Sequence, residues 1–241
     1  MKIRLPDPEE AGKAQDAEWC EVKSNGEVRR FRFHDYHEIY AVPGLYERLF
    51  YEELKCISPR TVTEMLGSIA EDDGISASDL AVLDIGAGNG MVGEELKRLG
   101  AGRVVGIDII DEAKQAVMRD RPTVYTDYLV VDMTAIPAEV HRTLRAHRFN
   151  ALTCVAALGF DDIPPAVFRN ALDLLVRGGL VGFSIKESFL GEGDTSGFST
   201  LIRDAIKVGE LRVRDQRRYR HRLSATGERL YYIAIVAQKS G

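Results

Sequence analysis

Short apolar runs alternate with amphipathic stretches along the chain from Leu80 onward. Five of the runs are almost continuously apolar and rich in β-branched residues, which is typical of parallel strands that are covered on both faces. These runs are residues 81–85, 104–107, 128–131, 151–156 and 180–185. The alternation therefore predicts a parallel sheet built from βα units.

The stretches between the runs repeat apolar residues at three- and four-residue spacing, which predicts helices. They cover residues 91–99, 111–119, 137–147 and 165–176. After Lys186 the rhythm changes to a glycine-rich loop (GEGDTSG), a helix over 199–208 and two long strands over 210–223 and 229–238. We expect these two strands to form an antiparallel hairpin.

The first 79 residues lack the βα rhythm but are dense in aromatic residues. We expect a helical cap there, in which Ser58-Pro59 begins a helix over 60–69. The predicted division is an N-terminal helical and aromatic cap over 1–74 and an α/β domain over 75–241. The aromatic segment 31–51 is predicted to close as a lid over the carboxyl ends of the strands, with Val42-Pro43-Gly44 as a hinge.

Charge and cysteine content narrow the choice of partner. The formal net charge of the 241 residues is −5, which gives no overall attraction to phosphate backbones or anionic lipid, so a small-molecule substrate is expected. The three cysteines are far apart, which indicates neither a disulfide framework nor a metal site. A polar, acidic beginning and the lack of a long apolar run favour the cytoplasm over export or a membrane. The sequence contains no recognisable signal of the oligomeric state.

Six arginines lie between positions 212 and 222. Strand alternation puts most of them on one face and the apolar residues on the other. The expected arginine face is Arg212, Arg214, Arg218, Arg220 and Arg222, and the expected inner face is Leu211, Val213, Tyr219 and His221. Charge on an edge strand discourages pairing with other chains, so we prefer this explanation to nucleic-acid binding.

The apolar strand Val82-Leu83-Asp84-Ile85 runs directly into Gly86-Ala87-Gly88-Asn89-Gly90, and a predicted helix follows. Glycines let a backbone approach a ligand closely, and a helix N-terminus offers unpaired N–H groups to its polar end. The alternative is a plain tight turn, but three alternating glycines cost more conformational entropy than such a turn requires. We therefore predict a nucleotide-cofactor cradle.

Acidic residues end the next two strands. Asp108 follows Gly86 by 22 residues, where a carboxylate can accept both hydroxyls of a ribose. Asp132 precedes Met133, so an acid that can accept from an adenine amino group lies beside an apolar surface. Asp132 is also compatible with a solvated turn or a helix cap. Together the acids indicate recognition of an adenosine group.

These motifs resemble those of class I S-adenosylmethionine (SAM)-dependent methyltransferases. VLDIGAGNG is similar to motif I, VVGIDII to motif II, VVDM to motif III, and LDLLVRGGLVGFSI to the segment that ends in strand five. The resemblance covers about 75–240 and is greatest for the small-molecule type and the Williams–Beuren-region methyltransferase-like group. It implies an α/β, Rossmann-like, doubly wound seven-stranded sheet of order 3-2-1-4-5-7-6 with strand 7 antiparallel. It also implies SAM as cofactor and S-adenosyl-L-homocysteine as product.

The resemblance implies a role for each motif residue. Gly86, Ala87 and Gly88 would pack on the methionine portion of SAM. Asp84 would be oriented toward its amino group, and Asp108 would hold the ribose.

The adenine end follows in the same way. Ile109 and Met133 would sandwich the adenine, and Asp132 would meet its exocyclic amine. Val155 and Ala156, at the end of strand four, would line the methionine tail.

Two other classes remain open. A nicotinamide-dependent oxidoreductase also uses a glycine turn with a later acid, but its fingerprint wants a third glycine where Met91 stands. A noncatalytic SAM-binding or interaction protein is the other alternative, and turnover would separate it from an enzyme. P-loop and α/β-hydrolase signatures are missing from the sequence.

The methyl acceptor is poorly encoded, because sulfonium methyl transfer needs mainly alignment. The end of strand four reads AALGFD and departs from the pattern of adenine-amino methyltransferases. A hydroxyl or amine acceptor could need a base. The titratable candidates, each also compatible with a structural role, are His34, His37, Asp161, Glu187 and His221.

Overall fold

The N-terminal region begins as a small sheet. The computed structural model describes residues 1–10, 15–24, 26–158, 163–187 and 196–240. Strands β1 (Lys2–Arg4), β2 (Trp19–Ser24) and β3 (Glu27–Arg32) form an antiparallel sheet in the order β1-β2-β3. The expectation of a helical cap is wrong for these residues. Of the aromatics in this region, Trp19 and Phe31 are strand residues. Cys20 and Val22 alternate with more exposed positions along β2 and share one apolar core with Phe31.

The helical prediction holds for the rest of this region. Helix α1 (Tyr36–Ala41) is followed by a π-helical turn (Glu47–Glu53) and by helix α2 (Ser58–Asp72), which begins with the proposed Ser-Pro signal. Helix α2 packs Val62, Met65 and Leu66 against the main sheet, in the same apolar cluster as Val82 of its central strand. The division of the chain near residue 74 stays a prediction.

The main sheet has seven strands, as the resemblance implied. They are β4 (Ala81–Ile85), β5 (Arg103–Asp108), β6 (Asp127–Val130), β7 (Ala151–Leu158), β8 (Leu180–Lys186), β9 (Leu211–Leu223) and β10 (Arg229–Lys239). Their order is β6-β5-β4-β7-β8-β10-β9, with β4–β8 parallel and β10 antiparallel to both neighbours. This is the order 3-2-1-4-5-7-6 with strand 7 antiparallel, so the predicted fold class is confirmed.

Helices cover both faces of this sheet. They are α3 (Met91–Leu99), α4 (Asp111–Asp120), α5 (Ala138–Ala146), α6 (Pro165–Leu174) and α7 (Phe198–Lys207). Helices α2 and α3 share one apolar cluster with the sheet, and α5, α6 and α7 share another. Since β4 lies between β5 and β7, the strand order reverses there, and a crevice opens beyond its carboxyl end.

The arginine-rich strand β9 follows the predicted alternation in part. Arg214 and Arg218 form ion pairs with Asp73 and Glu187. Protection of the edge by these charges stays a prediction. Arg222 does not share that exposed face, because it is buried and pairs with Glu18 at 2.5 Å.

A β-bulge explains this correction. Arg220 lies opposite Tyr231 and Arg222 opposite Leu230, so His221 is the extra residue and both it and Arg222 are buried. Val213, expected inside, is 37% exposed, whereas Tyr219 is buried as predicted. Within the described ranges, no helix is both long and apolar enough to cross a membrane.

Candidate cofactor and acceptor site

The turn after β4 is held in a conformation that favours glycine. Gly86, Gly88 and Gly90 have φ angles of +66°, +52° and +89°. A Cβ atom on Gly88 would lie 2.5 Å from the hydroxyl oxygen of Tyr40, so the missing side chain lets this tyrosine approach the backbone. The Tyr128 hydroxyl donates to the carbonyl of Gly88 at 2.8 Å. The turn is therefore fixed by contacts on several sides.

Asp108 ends β5 beside this turn. Its carboxylate accepts hydrogen bonds from the backbone N–H groups of Gly88 at 2.8 Å and Ile110 at 3.0 Å. Burial raises the pKa of Asp108, and these N–H groups oppose that rise because they stabilise the charged form. The structure thus brings the acid and the glycine turn into direct contact.

A cavity of about 300 Å³, here called the large cavity, opens at this edge of the sheet. It brings together most of the residues that the sequence motifs singled out, which are Gly86, Asp108, Ile109, Asp132, Met133, Val155 and Ala156. The remaining wall is mainly apolar or aromatic and comes from the loops after β5, β6 and β7 and from the N-terminal region. This lining is typical of a site for a flat, largely apolar group with a few polar contacts.

The two apolar residues that are predicted to enclose the adenine differ in exposure. Ile109 is 63% exposed, and Met133 is buried beneath the cavity.

Asp132 is exposed, and one of its oxygens accepts hydrogen bonds from the backbone N–H and the hydroxyl of Thr134. These bonds lower the pKa of Asp132. Its other oxygen takes no part in those bonds.

Asp84 lies under the turn and lines neither this cavity nor the chamber described next. It is fully buried, and its oxygens accept from the hydroxyls of Tyr125 and Thr153, each at 2.7 Å. Burial raises the pKa of Asp84 to about 7, and both hydroxyls oppose the rise. The geometry therefore gives Asp84 a position behind the turn instead of a wall position.

A smaller space of about 70 Å³, here called the inner chamber, adjoins the large cavity. Ala87 and Gly88 of the turn line one side. Residues of the N-terminal region and of β9 and β10 line the other. The residues that border both spaces are Tyr36, Tyr40, Tyr46, Gly86, Val155 and Ala156. The two spaces therefore meet at the turn and at the end of β7.

The N-terminal segment covers this junction. Tyr46 lies between Tyr40 and Phe50, with ring centroids 5.0 Å and 4.6 Å away. Glu47 accepts from the Asn89 side chain at 2.6 Å and pairs with Arg121. The predicted lid segment is thus bonded directly to the glycine turn and to the chain after α4.

The candidate bases divide into two groups. His34 and His221 line the inner chamber. His37 and Glu187 are exposed and line neither space, and Glu187 pairs with Arg218 at 3.0 Å. Asp161 lies outside the described residues.

Several polar residues of the chamber were not singled out by the sequence. Arg222 and Gln15 line the chamber, and Ser58, which does not line it, is bonded to Tyr219 and to the lining residue His221. The sequence signals at these positions were a helix start and an arginine-rich strand. Neither signal contains information about a site, because distant elements bring these residues together.

Comparison with known proteins agrees with this geometry. Residues 82–179 match the family described as "Methyltransferase domain". The chain is 33% identical over 119 residues to a ubiquinone biosynthesis O-methyltransferase of Citrobacter koseri, a match over 49% of this chain and 47% of that protein. It is 34% identical over 113 residues to the protein of the same name from Stutzerimonas stutzeri, with 47% of each covered. The chain thus spans about half the length of the curated relatives it matches.

Solved structures show the same fold over more of the chain. N-methyltransferase NodS of Bradyrhizobium japonicum, solved with S-adenosyl-L-homocysteine, aligns with a TM-score of 0.59 and 13% identity, over 87% of this chain and 98% of that one. Magnesium protoporphyrin IX methyltransferase of Synechocystis, solved with SAM, aligns with a TM-score of 0.51 and 16% identity, over 76% and 79%.

The sheet order and the aligned solved structures show the fold of class I SAM-dependent methyltransferases. The finer resemblance to the Williams–Beuren-region group stays a prediction.

Proposed function

We propose that this protein transfers the methyl group of SAM to an oxygen atom of a small molecule. The observation that carries the proposal is the junction of the two spaces. The large cavity joins the acid Asp108 to the glycine turn, and it meets a polar chamber at the end of β7. A nucleoside held in the large cavity would direct its reactive end toward that chamber, where an acceptor could be aligned with it.

The chain's own residues fit the two ends of SAM. Asp108 would accept the ribose hydroxyls, and Gly86, Ala87 and Gly88 would leave room for the methionine portion. Asp84 would act from behind the turn by holding Tyr125 in place. SAM supplies the electrophilic methyl group when bound.

The adenine end fits in the same manner. Ile109 and Met133 would enclose the ring, and the free oxygen of Asp132 would accept from its amine. Val155 and Ala156 border both spaces and would line the methionine tail.

The acceptor atom is proposed from the relatives. The curated proteins matched over the cofactor segment are named O-methyltransferases. The ion-paired arginines of β9 favour a small molecule over a nucleic acid, since their charges are already matched by acids at the edge. All three cysteines are free thiols, which is typical of a reducing compartment, so we place the protein in the cytoplasm.

Turnover tests the proposal against a noncatalytic SAM-binding protein. Purified protein would be incubated with methyl-labelled SAM and a metabolite extract separated into small-molecule and macromolecular fractions. We expect label to enter a compound of the small-molecule fraction, in a bond that behaves as a methyl ether or ester. Binding of SAM without transfer to any fraction would contradict an enzymatic role, and transfer to the macromolecular fraction would contradict the substrate class.

A further inference from the structure

A continuous buried polar chain connects the end of β7 with the inner chamber. The backbone N–H of Ala156 donates to Ser184 Oγ at 2.9 Å, and Ser184 also bonds to Tyr219. The hydroxyls of Tyr219 and Ser58 lie 2.6 Å apart. Ser58 Oγ in turn lies 2.6 Å from Nδ1 of His221. This series of hydrogen bonds starts at Ala156, whose backbone is strained because its φ angle is +55°.

This series of hydrogen bonds leaves one ring nitrogen of His221 for a ligand. Nδ1 is engaged by Ser58, and the ring stacks on Tyr232 with centroids 4.0 Å apart. Ser184 Oγ accepts from a backbone N–H and can also accept from Tyr219. If Ser58 then donates to Tyr219, Nδ1 carries the proton and donates to Ser58. In that arrangement Nε2 has a free lone pair at a residue that lines the chamber.

The surroundings of His221 favour the neutral ring. Burial and the adjacent Arg222 lower the pKa of His221 well below its ordinary value of 6.5. The other titratable groups that line this part of the chamber are Cys56, whose sulfur is 3.8 Å from Nδ1, His34, Tyr51 and Tyr232, and Tyr219 is linked to the ring through Ser58. The buried carboxylate of Glu18 is paired with the adjacent Arg222.

We propose that His221 is a catalytic residue that takes the proton from a neutral hydroxyl group of the methyl acceptor at Nε2. This inference rests on the proposed methyl transfer. The acceptor oxygen attacks the methyl carbon, an O–C bond forms, and the C–S electron pair returns to sulfur, which becomes a neutral thioether. The hydroxyl proton moves to Nε2 and is released to water when the product leaves.

Charge is conserved within the site during this step. The sulfonium loses its positive charge as the imidazole gains one, so no additional buried charge is created. The lowered basicity of His221 does not prevent the transfer. As the O–C bond forms, the attacking hydroxyl becomes a protonated ether, which is a far stronger acid than an imidazolium.

A base in this place discriminates between acceptor classes. A neutral amine attacks through its own lone pair and a carboxylate is already ionised, so neither requires a base to form the new bond. A hydroxyl does benefit from one. Gln15 favours a methyl acceptor that can donate a hydrogen bond. Its Oε1 is buried and has no hydrogen-bond partner among the described residues, and its Nε2 donates to Tyr232 at 3.1 Å.

The test uses the full chain, methyl-labelled SAM and a panel of phenol, catechol, 3,4-dihydroxybenzoate and small aliphatic alcohols, with the amine analogue of each. SAM affinity is measured first by calorimetry. We expect transfer to hydroxyl compounds of the panel. In His221→Gln and His221→Asn, kcat should fall about 10²- to 10⁴-fold while SAM affinity stays at the wild-type value. His141→Gln is the matched control, because His141 on α5 lines neither space and should leave kcat unchanged.

The pH profile gives a readout that a structural role would not change. Because the folded pKa of His221 is lowered, the base stays unprotonated as the pH falls through 6.5, and activity is lost only below that pH. Ser58→Ala should lower kcat and shift the pH at which activity is lost, and Ser58→Thr should restore both, since Ser58 lines neither space and bonds to His221 through its hydroxyl group.

The outcomes separate the two proposals. Failure to bind SAM would overturn the proposed function itself. With SAM bound, transfer to amines alone, no transfer to any hydroxyl compound, or an unchanged kcat in both His221 variants would overturn the role of His221. An acid limb at or above pH 6.5 in the wild-type protein would overturn it as well, even if the variants failed to fold.

Discussion

At the residue scale, Asp108 has the central position in the site. Its carboxylate fixes the turn through the N–H of Gly88, and it also lines the large cavity. Each carboxylate oxygen can accept a second hydrogen bond, so the same group can bind ribose hydroxyls without releasing the turn. Partial burial makes such bonds stronger than they would be in water.

Asp108→Ala should weaken SAM binding about ten- to hundredfold, because a hydrogen bond to a charged group contributes roughly 1.5 to 3 kcal/mol. Calorimetry with SAM measures the change, and circular dichroism confirms that the variant is folded. Asp173→Ala is the control, because Asp173 is an exposed acid on α6 that lines neither space. Wild-type affinity in folded Asp108→Ala would remove Asp108 from the site.

Residues at strand ends could be placed from the sequence, and residues that depend on distant packing could not. Asp108 and Met133 were found because carboxyl ends of parallel strands meet at one edge. The resemblance implies that Asp84 is oriented toward the amino group of SAM, whereas its carboxylate is bonded to hydroxyls from β7 and from the segment before β6, which the local sequence does not reveal. The burial of Arg222 depends on a bulge, which local alternation does not reveal.

At the scale of elements, the segment 31–51 is predicted to act as a lid over the site. Its tyrosines border both spaces, and its Glu47 is tied to Asn89 and Arg121. Tyr40 of this segment packs on Gly88. If the segment is a lid, these contacts open to admit SAM and form again around it. The turn between α1 and the π-helical turn, where Gly44 has a φ angle of +70°, is the proposed hinge.

Hydrogen exchange with and without SAM tests the lid. We expect new protection within 31–51 when SAM is bound, because the cofactor fills the space under the tyrosines and stabilises the closed state. Helix α5 provides an internal control, since its residues line neither space. Equal exchange of 31–51 in both states would show that the segment is a fixed cover.

The βα elements were predictable because each carries its own hydrophobic period, and the observed bounds differ from the expected ones by a residue or two. The N-terminal sheet was not. Strand β1 has three residues, and β3 buries only Phe31, so neither shows the alternation that identifies a strand. Their pairing with β2 determines their structure, and pairing across a loop is not a local signal.

At the scale of the whole molecule, topology places every part of the site at one edge. The strand order reverses at β4, the acids follow β5 and β6, and the β9–β10 hairpin brings His221 and Tyr232 to the same end. A nicotinamide-dependent oxidoreductase could share the first of these features. The third glycine of a dinucleotide fingerprint is replaced by Met91, at the start of α3.

Calorimetric titration of the purified full chain with SAM, S-adenosyl-L-homocysteine and NAD is the most direct test of cofactor identity. We predict one binding site for SAM and for S-adenosyl-L-homocysteine, and no binding of NAD at the same concentrations, because the large cavity and its acids suit a single adenosine with a short polar tail. Binding of NAD without binding of SAM would contradict the assignment of this site.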